Sequence, residues 1–121
     1  MKSYPRADRI SKAVQKEVSV VLSKGLRDPR LEMTTITGVR MSRDLTTAYV
    51  YYIVSGDQSA KQAAASGFKS AGGFIKRKLA KNLKMKYMPD LLFYYDESID
   101  YGEKMDSVFK SLKTDHVPDD Q

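Results

Sequence analysis

The 121-residue chain has no cysteine and one histidine, His116. Without cysteine there is no disulfide framework, thiolate metal site, iron–sulfur cluster or cysteine nucleophile. One histidine near the chain end supports neither a His-rich metal site nor a well-oriented general base. No carboxylates are paired for a shared task, and no nucleophile–base set is present, so the residues point away from an enzyme, a metal, a cofactor and a small-molecule substrate. Long apolar runs are missing too. The longest, such as Ala48–Val54, are strand-sized, far short of the roughly 18–20 residues that span a bilayer. The start Met1-Lys2-Ser3-Tyr4-Pro5-Arg6 has no apolar stretch behind it. These absences predict a cytoplasmic protein with no membrane partner. Internal repeats and low-complexity blocks are also lacking.

The residues that are present fit one domain with a real hydrophobic core. From about Arg6 to Lys24 the residues Ile10, Ala13/Val14, Val18 and Val21/Leu22 recur at helical steps. Pro5 suits the helix start, and Gly25 its end. Asp28-Pro29-Arg30 breaks the pattern. Thr34–Met41 and Thr46–Val54 read as strands joined by a short link, with Ile36 and Val39 as buried positions of the first. The second is apolar on both faces, as a strand inside a sheet is. Asp57 suits the N-cap of a second helix. Three glycines within Gly67–Gly73 interrupt it, and a further helix is predicted over Phe74–Tyr87, with Ile75, Leu79, Leu83 and Tyr87 along one side. Leu91–Tyr95 reads as a third strand. Ser98 can cap a last short helix carrying Tyr101, Met105, Val108/Phe109 and Leu112. The fold class is therefore α+β, in the order α-β-β-α-(kink)-α-β plus a short C-terminal helix, with a three-stranded sheet covered by helices. Residues 1–113 form a single domain in this reading, and 114–121 a disordered polar tail.

The net charge is +6, from 21 basic and 15 acidic residues. It is unevenly placed. Between Asp57 and Asp90 there is no acidic residue, and the window holds Lys61, Lys69, Lys76, Arg77, Lys78, Lys81, Lys84 and Lys86. That window carries +8 and the rest of the chain −2. Like charges at i,i+4 cost a few tenths of a kcal/mol per pair in a helix, and a polyanion could supply the missing counter-charge. A charge run is also commonly a solvated helix face, and lysines in a last turn complement the helix dipole. The dipole accounts for Lys84 and Lys81. It does not account for Lys69, Lys76 or Arg77, which lie nearer the positive end.

A helix–glycine–helix segment between strands suggests the K-homology fold of RNA-binding domains. The usual Gly-x-x-Gly is absent, and Ala71-Gly72-Gly73 stands there instead. Other segments are Asp28-Pro29-Arg30-Leu31, Val39-x-Met41-Ser42-Arg43-Asp44-Leu45 followed by Ala48-x-Val50-Tyr51, Pro89-x-Leu91-x-Phe93-x-Tyr95-Asp96, and Asp96-x-Ser98-x-x-x-Gly102-x-x-Met105. Together, over about residues 5–110, the chain resembles the bacterial ribosome-binding factor A family. The resemblance implies a type II K-homology-like fold in which an Ala-x-Gly kink replaces the loop. It also implies a non-enzymatic factor that binds the small ribosomal subunit and 16S rRNA. Such a factor supports late maturation, including 16S rRNA 5′-end processing, is linked to growth in the cold, and leaves before translation.

On these grounds the RNA-binding candidates are Lys69, Ala71, Gly72, Gly73 and Lys76 around the kink, then Arg77, Lys78, Lys81, Lys84 and Lys86 along the helix. Lys2, Arg6, Arg9 and Lys12 could extend that surface. Tyr49, Tyr51, Tyr52, Tyr94 and Tyr95 are either base-stacking or core residues. Asp28, Arg30, Arg43 and Asp44 are open between turn chemistry and RNA contact. The protein is expected to be a monomer. Two other readings are a general single-stranded RNA-binding module and a protein-interaction scaffold with an acidic partner. Docking of the basic window on roughly four to six phosphates predicts that log K falls with log salt at a slope of about −3 to −5. A filter-binding salt titration measures it, and a flat response would remove the electrostatic component.

Overall fold

The computed structural model describes residues 5–98. The predicted C-terminal helix beyond Ser98 and the polar tail lie outside the described residues. The elements are α1 (Pro5–Val20), β1 (Thr34–Met41), β2 (Thr47–Val54), α2 (Gln58–Leu83) and β3 (Asp90–Tyr95). The sheet order is β1-β2-β3, with β1 and β2 antiparallel and β2 and β3 parallel. The expected α+β architecture is present, and β2 is the central strand, in keeping with its two apolar faces.

Helix α1 begins at Pro5, buries Val14 and Val18, and passes into a π-helical turn over Val21–Gly25. Leu26 is extended, so the helix ends where glycine predicted. A 3-10 turn, Pro29–Leu31, comes next and buries Leu31. In β1, Ile36 and Val39 are three residues apart, which strict alternation would put on opposite faces. A bulge between Ile36 and Gly38 absorbs one residue, so Ile36, Val39 and Met41 all face the helices opposite Tyr52, Val50 and Ala48.

The largest departure from expectation is α2. The segment Gly67–Gly73 does not break it: one helix runs from Gln58 to Leu83. Each interior glycine costs about 1 kcal/mol relative to alanine. Burial of Ala64, Phe68, Ala71, Ile75 and Leu79 against the sheet holds the helix through that weak stretch. Asp57 caps the start as predicted, its carboxylate accepting from the Ala60 N–H at 3.0 Å. The end differs. Lys84 takes a left-handed conformation (φ 51°) and its N–H bonds the Ala80 carbonyl at 3.2 Å, which closes the helix. Tyr87 therefore leaves the apolar stripe and is 77% exposed. Asp96 accepts from the Ser98 N–H at 3.0 Å; the helix that Ser98 was expected to cap lies outside the described residues.

Gly67 is the glycine the packing requires. A Cβ there would lie 2.9 Å from Leu31 Cδ2 and 3.2 Å from Arg30 Cβ, so the bare backbone lets the 3-10 turn close on α2. At Gly73 a Cβ would meet only the tip of Arg77, at 3.3 Å. Gly67→Ala should thus lower stability by about 1–3 kcal/mol through overpacking. Gly73→Ala should raise it by about 0.5–1 kcal/mol through helix propensity. Urea unfolding of the two variants distinguishes them, and equal shifts would contradict the packing account.

Candidate nucleic-acid interface

Packing of one side of α2 on the sheet decides where its cations go. At 1.5 Å per residue its 26 residues span about 39 Å. The apolar stripe faces inward, and Lys69, Arg77, Lys81 and Lys84 are exposed. No carboxylate on the helix itself offsets them. Ala71, taken from the sequence as a contact, is in the core and faces the sheet. Lys76 is paired with Asp90 of β3 at 2.6 Å. Lys78 is half-buried, with its ammonium 5.7 Å from the Phe74 ring centroid. Lys86 lies past the helix end, 5.5 Å from the Tyr87 ring. The predicted candidates thus separate into an exposed ridge and a flank over β3.

That flank borders a groove of about 410 Å³ between α2 and β3. Lys69, Gly72, Gly73 and Lys76 line its helix side, and Asp90 and Phe93 its strand side. Phe68 and Phe93 stack beneath it with centroids 4.6 Å apart and planes 14° from parallel. A Cβ on Gly72 would sit 3.9 Å from Phe93 Cε2, so glycine leaves that apolar wall uncovered. The two glycines therefore serve the groove without breaking the helix. Cations beside an apolar wall can hold phosphate while a ribose or base lies against carbon. Among the described residues no group of His, Asp or Glu side chains is arranged to hold a metal ion.

The tyrosines divide by strand parity. Tyr52 is buried, 4.5 Å from Phe68 and edge-on to Tyr95, and burial pushes its hydroxyl pKa up. Tyr49, Tyr51 and Tyr94 cluster on the other face, with Tyr94 6.2 Å from Tyr49 and 6.1 Å from Tyr51. Sequence reasoning missed three features here. Asp90 as the neutraliser of Lys76 is one. Gly67 as a packing glycine is another. The third is Tyr87, solvent-facing beside Lys86, which regular four-residue spacing places on the apolar side.

The family model of Ribosome-binding factor A matches residues 6–109. Ribosome-binding factor A of Desulfosudis oleivorans is 62% identical over 121 residues, covering 98% of this chain and 94% of that one. Among solved structures, the crystal structure of ribosome-binding factor A from Thermus thermophilus superposes with a TM-score of 0.66 at 22% identity, over 74% of this chain and 93% of that one. A Thermus thermophilus ribosome binding factor A homology model fitted into a cryo-EM map of a 30S complex gives 0.57 at 24% identity, over 76% and 92%. Both structural likenesses bear on the fold.

Two carboxylates inside the matched stretch do local work. Asp28 accepts from the Arg30 N–H at 3.0 Å and grips its guanidinium through Nε at 3.0 Å and a terminal nitrogen at 2.8 Å. Those bonds hold Asp28 below the ordinary 3.8 and raise Arg30. Asp44 accepts from the Thr46 hydroxyl at 2.8 Å, the Ser42 hydroxyl at 2.8 Å and the Thr46 N–H at 3.2 Å, which also lowers it. The same network brackets Leu45, held at φ 63°. A depressed folded-state pKa contributes stability above the unfolded value and loses it as pH falls through the folded one. Melting temperature should therefore drop on acidification below about pH 4. Asp28→Asn and Asp44→Asn should flatten that drop, and an unchanged pH profile in both would contradict the assignment.

Proposed function

The chain belongs to the ribosome-binding factor A family, and on that premise we propose that it is a non-enzymatic assembly factor that binds the small ribosomal subunit. It docks on 16S rRNA and supports late maturation of the particle, including processing of the rRNA 5′ end. It acts as a monomer in the cytoplasm and leaves before translation begins. No helix among the described residues is long and apolar enough to cross a membrane.

The observation that carries this reading is the exposed ridge on α2. Lys69, Arg77 and Lys81 share α2 and Lys84 caps its end, and no carboxylate on that helix neutralises them. A single unbroken helix holds these cations at fixed spacing. Phosphates bound there therefore meet a pre-set row rather than two hinged pieces. The groove beside Gly72 and Gly73 adds an apolar wall for a ribose or base. The mechanism is docking: counterions leave the rRNA phosphates as the lysines and arginine replace them, and affinity tracks salt. The relative fitted into a 30S complex supports the partner.

Arg77→Glu, Lys81→Glu and Lys84→Glu combined should abolish co-sedimentation with free small subunits. The melting temperature should stay near that of the parent, because all three side chains are exposed. Sucrose-gradient profiles check this. Undiminished association of a folded triple variant would remove the ridge from the interface.

A further inference from the structure

A larger groove, of about 810 Å³, lies at the opposite edge of the sheet, between α1 and β1. Its rim carries three cations: Arg6 and Lys12 from α1 and Arg43 from the β1–β2 turn. Arg40 also borders it, but alternation with Val39 and Met41 turns that side chain to the other face of the sheet, opposite Tyr49. One acidic residue, Asp8, faces them. Asp8 has a local role, since an acid in the first turn complements the positive end of the helix. Arg6 stands in that same first turn, where helix electrostatics disfavours a cation; Lys24, in the π-helical turn that ends the helix, stands where it favours one.

The groove is also open to a chain. β1 is the edge strand on this side, so no described strand pairs with its outer margin. At the bulge, a Cβ on Gly38 would meet nothing within 4 Å. Two of the three cations are arginines, whose planar forks match phosphate oxygens two at a time. Val39 and Leu45 supply carbon surface beside them. Resting on the reading that the protein docks on rRNA, we infer that this groove is a second RNA contact. It holds the phosphates of a strand separate from the one met by α2. The protein then clamps two RNA stretches across its sheet, and each contact raises the effective concentration of the other.

The test uses the full chain and small ribosomal subunits. One variant combines Arg6→Gln and Lys12→Gln, leaving in place Arg43, which has an interaction of its own. The other combines Arg77→Gln, Lys81→Gln and Lys84→Gln. Melting temperatures establish that both are folded. Binding is measured against salt, and the bound rRNA is footprinted with hydroxyl radicals. The groove variant should bind more weakly, with a salt slope shallower by about 1–2. It should also lose protection of nucleotides that the α2 variant still protects. Native affinity, slope and footprint would overturn the inference. So would loss of the same nucleotides as the α2 variant, which would mean one continuous site. Weaker binding with an unchanged slope would also overturn it, because loss of phosphate contacts must reduce counterion release. Normal binding by the α2 variant alone would count against the α2 interface and leave the groove standing.

Discussion

Phe68 sits between two strands' aromatic side chains, 4.5 Å from the Tyr52 ring and 4.6 Å from Phe93. Such pairs add about 0.5–1.5 kcal/mol each beyond the area they bury. They also fix rotation. With Phe68 held against β2 and β3, the helix can turn only one way, and Ala64, Ala71, Ile75 and Leu79 go with it into the core. Every outward side chain of α2 is set by that one orientation. The basic ridge is thus a consequence of aromatic packing on the far side of the same helix.

The same constraint gives the glycines different jobs. Gly67 is buried and lets Leu31 come close, which ties the Asp28–Arg30 turn to α2. Gly72 and Gly73 lie toward the β3 flank, where small size keeps a groove open. A segment that looks uniform in sequence therefore serves tertiary packing at one end and surface shape at the other. The β1 bulge acts similarly on the opposite edge: it turns Val39 and Met41 inward and Arg40 to the other face of the sheet, opposite Tyr49.

Much of the fold was legible because its signals are local. Pro5 and Asp57 marked helix starts, β-branched runs marked strands, and the double-faced run of β2 marked the middle of the sheet. The errors have a common cause. Glycine propensity predicted a break at 67–73, but contacts made by Phe68 and Ile75 at long sequence separation outweigh it. Four-residue spacing placed Tyr87 on a helix, but Lys84 in a left-handed conformation ends the helix first.

Composition and residue order are enough to mark a cysteine-free binding domain whose positive charge is concentrated between Asp57 and Asp90, since charge and periodicity are one-dimensional properties. Which of those charges a partner can meet was settled by packing in three dimensions. Packing buried Ala71, paired Lys76 with an aspartate fourteen residues away, and left Lys69, Arg77, Lys81 and Lys84 on the open side. It also brought Arg6, Lys12 and Arg43 around one groove. Coulomb attraction to a partner depends on distance and solvent exposure, and neither exists until the sheet and helices come together.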